Sequence, residues 1–111
     1  TTSFFPAKPL GCYGDGGAVF LNDEEAEKLI RSYQNHGKGN NKYDNVRIGM
    51  NSRLDTIQAA ILLAKFEEFK KSELDKINEF AGVYDAGLEG IVGIPYMKEK
   101  FYSSWAQRGI T

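Results

Sequence analysis

The stretch SFFPAKPLGCYGDGGAVF, residues 3–20, decides how the chain begins to fold. Residues 2–5 form a β-compatible run that ends at Pro6, because proline has no backbone donor and biases its neighbour toward extended geometry. Residues 11–17 hold four glycines, and an apolar run of strand length follows at 18–21. The pattern predicts a strand, a glycine turn and a second strand.

Helical signals follow the glycine turn. Asn22, with acidic residues directly after it, predicts the start of a helix that runs to about Asn35. The polar, aperiodic stretch 36–44 predicts a long loop. Ser52 begins the spacing of a capping box, and apolar residues then recur every three or four positions over 53–89. This periodicity predicts two helices or one kinked helix, with its first part buried on more than one side.

The end of the chain combines a helix stop with an extended segment. Gly90 ends the helical stretch, a short extended connector follows, and residues 101–110 predict a strand. The expected fold class is therefore α/β: short strands around a glycine turn, then two to three helices and a C-terminal strand. Because the chain opens on Thr1 and stops abruptly, we expect a piece of a longer polypeptide.

Composition excludes several classes of protein. The 111 residues carry 14 Lys plus Arg and 15 Asp plus Glu, a formal net charge of -1, so a dedicated nucleic-acid partner is not expected. The longest apolar run, 59–64, is far shorter than the roughly 20 residues of a membrane span, so no membrane association is expected. One cysteine, Cys12, and one histidine, His36, are too few for a metal cluster built on these residues, and a lone cysteine fits a reducing, cytoplasmic compartment.

Lys8 is the first candidate for chemistry. It stands in Pro6-Ala7-Lys8-Pro9, between the first strand and the glycine turn. A lysine on a stiff loop beside a core can be desolvated, which favours the neutral amine, a nucleophile toward carbonyls. On spacing alone, however, an ordinary solvated loop lysine is the commoner case.

Other polar residues also have two interpretations when taken alone. Ser3 is either an anion ligand or a strand serine bonded to the backbone. Asn51 and Ser52 are either ligands or helix caps, and Arg53 is either a ligand or an exposed first-turn residue. The glycine cluster 14–17 is a tight turn rather than a dinucleotide fingerprint, because a strand follows it instead of a helix.

Residues 3–20 resemble the active-lysine segment of the DegT/StrS family, pyridoxal-phosphate-dependent sugar-nucleotide aminotransferases of fold type I. The resemblance continues, in the order and approximate spacing of the family, through NHG at 35–37, GMNSRLD at 49–55, QAAIL at 58–62 and YSSWAQ at 102–107. It covers essentially the whole chain. The chain would be an internal part of a family member, and it would start just before the active lysine.

The resemblance implies a role for each candidate residue. Lys8 would bind the aldehyde of pyridoxal 5'-phosphate covalently and then move the proton during transamination. Ser3 would hydrogen-bond the cofactor phosphate. Asn51 would contact the phosphate from the second subunit, so the active site would need a homodimer, and Arg53 would lie near the acid group of the substrate.

The resemblance also implies a reaction and a domain layout. The amino group, with glutamate as the expected donor, would move to a keto group of a UDP- or dTDP-linked sugar for surface polysaccharide or antibiotic-sugar biosynthesis. Among family members the sequence looks most like enzymes that aminate C3 of a UDP-linked 3-keto-hexuronic acid. Residues 1–52 would end the large cofactor-binding domain, and residues 53–111 would form long helices and the start of the small C-terminal domain.

Three alternatives stay open. Within the class, a C4 aminotransferase and a dehydratase on the same scaffold compete, although the dehydratase carries histidine in place of the active lysine. From another class, residues 53–89 could form a noncatalytic helical self-association module.

In the family, the acidic residue for the pyridine nitrogen and the group stacked on the ring lie upstream of the position of Lys8, so the 111 residues alone are expected to be inactive.

Overall fold

The computed structural model describes residues 1–111. Its elements, in chain order, are β1 Thr2–Ser3, β2 Gly17–Ala18, α1 Glu24–Tyr33, α2 Thr56–Glu68, a π-helical segment Phe69–Glu73 and α3 Leu74–Leu88. The two strands pair antiparallel, with Thr2 opposite Ala18 and Ser3 opposite Gly17. The predicted order of strand, glycine turn, strand and helices is therefore confirmed.

The helix α1 begins one residue later than predicted and ends sooner. Asp23, not Asn22, is its cap, because the Asp23 carboxylate accepts two backbone N–H groups of the first turn, at 2.9 and 3.1 Å. The helix ends at Tyr33. Asn35 leaves the helix because it forms an isolated antiparallel bridge with Asn51.

The capping box predicted at Ser52 does not form. The helix α2 starts at Thr56, with Asp55 as its N-cap residue and no side-chain cap bond. The Ser52 backbone N–H donates instead to the Gln34 carbonyl at 3.0 Å. Pairing with the end of α1 keeps residues 51–55 extended, so the local helix signal loses to a tertiary contact.

The helices α2 and α3 follow one another without a break. A π-helical turn joins them, and such a turn shifts the register between the stretches before and after it. In this chain Leu62 and Ala81 are the buried apolar residues of the two helices, while Ile57 and Leu63 of α2 are 73% and 72% exposed. The expected burial of α2 on more than one side is therefore not seen. No helix of the structure combines the length and apolar character needed to cross a membrane.

The C-terminal strand predicted at 101–110 is wrong. This segment has no regular secondary structure and instead docks on α3. The Asn78 side chain donates to the Ser103 carbonyl at 2.9 Å and accepts from the indole N–H of Trp105 at 3.1 Å. Trp105 has a φ of 43°, which no regular strand allows.

Tyr102 provides a test of this docking. Its hydroxyl donates to the Asp75 carboxylate at 2.8 Å, and this hydrogen bond is the main reason that the pKa of Tyr102 is raised above its ordinary value of 10.0. Because the bond favours the neutral phenol, its contribution to stability is fully present below the ordinary pKa and is lost as the pH rises through the raised pKa. We expect Asp75→Ala to lower the Tyr102 pKa toward its ordinary value.

The measurement is a UV-difference titration, with Tyr102→Phe subtracted in both backgrounds so that only this phenol contributes. If Asp75→Ala leaves the Tyr102 pKa unchanged, the segment does not dock on α3 as described.

Candidate functional site

Residues 4–16, here called the lysine loop, run between the two paired strands. The Phe4 N–H donates to the Gly16 carbonyl at 2.8 Å, which extends the strand pairing. Cys12 folds back on Phe4: its backbone N–H and its thiol both donate to the Phe4 carbonyl, at 2.8 and 3.0 Å. Cys12 is 0% exposed. This closure leaves the outer part of the loop, with Lys8, as a short and tightly held turn.

Lys8 stands on that turn. Its backbone N–H donates to the Phe5 carbonyl at 2.8 Å, and Pro6 and Pro9 fix φ on either side of it. The residue is half-buried. No ion pair of the chain involves its ammonium group. The side chain therefore presents an amine on a rigid backbone, as covalent binding of a carbonyl requires.

Gly11 allows the loop to close. A Cβ at this buried position would lie 2.6 Å from the Phe5 carbonyl oxygen and 2.8 Å from that of Pro6. Both neighbours are backbone atoms, which cannot rotate away. Only glycine lets the chain pass so close to the turn that carries Lys8.

Ser3 lies at the end of β1 and is exposed. Its hydroxyl oxygen accepts from the Phe5 N–H at 3.3 Å, so the hydroxyl proton stays free to donate to an anion. Side chains alternate along a strand, so Thr2 and Ser3 point to opposite faces. The side chains of Thr2 and Ser3 accordingly lie on different surfaces of the protein.

Asn51 and Arg53 form a second group of candidates. The guanidinium of Arg53 donates to the side-chain oxygen of Asn51 at 3.0 Å and to that of Asn35 at 3.4 Å. Asn35 belongs to the NHG run at 35–37, but no sequence pattern indicates its contact with Arg53, 18 positions away. The two amides orient the guanidinium, which is exposed and able to bind a carboxylate.

The loop that follows α1 holds this second group in place. Ser32, 7% exposed, donates its hydroxyl to the Lys38 carbonyl at 2.6 Å and accepts from the guanidinium of Arg47. Farther along, the Met50 N–H donates to the Tyr33 carbonyl at 2.9 Å. The predicted long loop is thus folded against the end of α1, which fixes the residues leading into the second group.

A cleft of about 1230 Å³ lies between β2, α1 and residues 51–55. Asn51, Arg53 and Thr2 line it, whereas Ser3 and Lys8 do not. Asn51 and Arg53 thus share this cleft and a hydrogen bond, whereas Ser3 and Lys8 are not part of its lining. No group of His, Cys, Asp or Glu side chains in the chain is arranged to hold a metal ion.

Both the sequence and the fold of the chain match known proteins. A crystal structure of a DegT DnrJ EryC1 StrS aminotransferase from Brucella abortus matches 97% of the chain with a TM-score of 0.86 and 51% sequence identity. Residues 1–110 match the DegT/DnrJ/EryC1/StrS aminotransferase family. The chain belongs to this family.

Two curated relatives carry names that include a substrate. The chain is 49% identical over 107 residues, 96% of its length, to the UDP-2-acetamido-2-deoxy-3-oxo-D-glucuronate aminotransferase of Pseudomonas aeruginosa. It is 42% identical over 96 residues, 83% of its length, to the dTDP-3-amino-3,4,6-trideoxy-alpha-D-glucose transaminase of Streptomyces venezuelae. The chain covers 29% of the first relative, 24% of the second and 29% of the Brucella structure.

Replacing Gly11 tests whether the lysine loop is as tight as described. We expect Gly11→Ala to lower the free energy of unfolding by about 1–3 kcal/mol, because the new methyl group meets two fixed carbonyl oxygens. The matched control is Gly82→Ala in α3, where no atom lies within 4 Å of the added carbon. This control should raise stability by about 0.5–1 kcal/mol, since alanine favours a helix.

Urea unfolding of the three proteins measures both changes. A Gly11→Ala variant as stable as the starting protein would show that the loop is loose.

Proposed function

We propose that the chain is the part of a pyridoxal-phosphate-dependent sugar-nucleotide aminotransferase that contributes the cofactor-binding lysine, Lys8. The observation that carries the proposal is the amine of Lys8 on a turn closed by Cys12 and Gly11, in a chain of the aminotransferase family. The helical self-association module is less well supported, because a disordered beginning of the chain would favour it, whereas Thr2–Ser3 pairs with Gly17–Ala18 and the loop between them is hydrogen-bonded.

The residues present fit pyridoxal 5'-phosphate at two points. The Lys8 amine would bind the aldehyde, and the Ser3 hydroxyl, whose proton is not used within the chain, would donate to the phosphate. When bound, the cofactor supplies an electron sink for a carbanion. Lys8 Nζ would take the proton from the substrate carbon and return it on the cofactor side, which is general acid–base work by one amine.

We further propose that Asn51 and Arg53 act in the partner subunit's active site of a homodimer. Support comes from the cleft that Asn51 and Arg53 line, because neither Ser3 nor Lys8 is among its lining residues. Two chains related by a two-fold axis would give each site one pair from either chain. On this proposal residues 1–52 end the cofactor domain and residues 53–111 lead into the smaller domain.

The proposed substrate is a UDP-linked 3-keto-hexuronic acid, with glutamate as the amino donor. The Pseudomonas relative is named for a 3-oxo-glucuronate, which carries a carboxylate. Arg53 offers an exposed guanidinium, oriented by two amide oxygens, that is suited to bind such a group in a bidentate manner. A dTDP-linked 3-keto deoxysugar is the second candidate, since the Streptomyces relative is named for a dTDP sugar.

The same proposal places the enzyme in the cytoplasm. Cys12 is a free, buried thiol, which suits a reducing compartment.

Covalent labelling of the full-length polypeptide tests the role of Lys8. After incubation with pyridoxal phosphate and borohydride reduction, peptide mass spectrometry should find the label on Lys8. Lys8→Ala should lose the label and lower kcat by at least ~10²-fold, because it removes the proton-transferring amine. The control Lys42→Ala, which alters an exposed loop lysine, should keep both. Label spread over several lysines, unchanged in Lys8→Ala, contradicts the proposal.

Hybrid dimers test whether the two pairs of residues come from different chains. Lys8→Ala and Arg53→Ala should each be nearly inactive with a uronic acid substrate. Random pairing of the two variants should restore about a quarter of the starting activity, because half of the dimers are hybrids and each hybrid has one intact site.

If both residues served the same chain's site, every site of a hybrid would lack one of them. The mixture would then be no more active than the separate variants.

A further inference from the structure

Two side chains of α2 bind the backbone of the lysine loop. The side-chain oxygen of Gln58 accepts from the Tyr13 N–H at 2.8 Å, and the ammonium of Lys65 donates to the Gly11 carbonyl at 2.6 Å. Gln58 and Lys65 are two helical turns apart and therefore lie on one face of the helix. They hold the two residues that flank Cys12, the residue that closes the loop.

The charged ammonium group of Lys65 donates its hydrogen bond to a main-chain carbonyl and not to a carboxylate. It forms no ion pair in the chain, and its ammonium also lies 5.8 Å from the centre of the Tyr13 ring. A hydrogen bond from a charged donor is stronger than one between neutral groups. The half-buried Lys65 side chain therefore fixes the position of Gly11 more firmly than a neutral residue could.

Gly11 lies against the part of the lysine loop that carries Lys8. Gly11 packs so closely on Phe5 that even an added methyl group would lie 2.6 Å from the Phe5 carbonyl oxygen. That carbonyl accepts the backbone N–H of Lys8 at 2.8 Å. The contacts of α2 thus lead to the backbone of Lys8 through two closely packed residues, Gly11 and Phe5.

We propose that Gln58 and Lys65 are positioning residues, which together form a clamp that sets where the Lys8 amine meets the cofactor aldehyde. The proposal rests on the aminotransferase function proposed above. Neither residue touches the reacting atoms. Because α2 leads toward the proposed small domain, the clamp also makes the position of the Lys8 amine depend on the position of α2.

The experiment uses the full-length polypeptide and pyridoxal phosphate itself. Gln58→Leu and Lys65→Met remove the acceptor and the donor, whereas Gln58→Glu and Lys65→Arg keep them. Lys71→Met is the matched control, since Lys71 is an exposed lysine of the π-helical segment. For each variant, titration gives the Kd of the cofactor, absorbance spectra give the pH midpoint of the bound chromophore, and calorimetry gives the Tm without cofactor.

We expect Gln58→Leu and Lys65→Met each to raise the cofactor Kd by about tenfold and to move the pH midpoint of the chromophore. Gln58→Glu, Lys65→Arg and Lys71→Met should stay within about twofold of the starting Kd, with the midpoint unmoved. Rescue by the conservative variants marks a positioning role, because it follows the hydrogen bond rather than the shape of the side chain.

The clamp is overturned if the first two variants lower the Tm but leave the Kd and the midpoint unchanged, or if the conservative variants lose as much as they do. Should Lys65→Met not fold, the smaller change Gln58→Ala decides by the same measurements. If the starting polypeptide takes no borohydride-fixed cofactor on Lys8, the proposed function itself fails, and the clamp with it. Normal labelling with unaffected variants overturns the clamp alone.

Discussion

The Phe4 carbonyl accepts both the backbone N–H and the thiol of Cys12, and the geometry of the lysine loop depends on this closure. Both donors come from one residue, Cys12, which is fully buried, and a hydrogen bond shielded from water is costly to break. With the loop closed in this way, Gly11 lies close to Phe5, and the backbone of Lys8 is held in a turn by its hydrogen bond to Phe5. The backbone that carries the Lys8 side chain is thus fixed before any ligand arrives, which lowers the entropic cost of binding one.

The chain has little core of its own: six of its 111 residues are buried. Order in the lysine loop therefore comes from polar contacts at close range rather than from an apolar interior. Gln58 and Lys65 connect the loop to α2, and Ser32 holds the following loop against α1. These bonds hold the lysine loop and the residues that lead into Asn51 and Arg53, which line a cleft that does not include Ser3 or Lys8.

Sequence patterns predicted the elements better than their ends. Apolar periodicity located the helices, since it reports on the helix itself. The start of α2 was missed because the backbone of Ser52 binds Gln34, and the C-terminal strand was wrong because Trp105 binds Asn78. Lys8 was singled out by its place between prolines and by the family resemblance. The contacts of Asn35, Gln58 and Lys65 could not be predicted, because their partners are 18 to 54 residues away and a single sequence carries no sign of such contacts.

The central claim is that the lysine loop presents the amine of Lys8 to pyridoxal phosphate. A crystal structure of the full-length polypeptide grown with the cofactor tests it most directly. We expect continuous electron density from Lys8 Nζ to the cofactor, with the hydrogen bonds between Phe4 and Cys12 intact. A cofactor bound elsewhere, with the Lys8 amine directed into solvent, would contradict it.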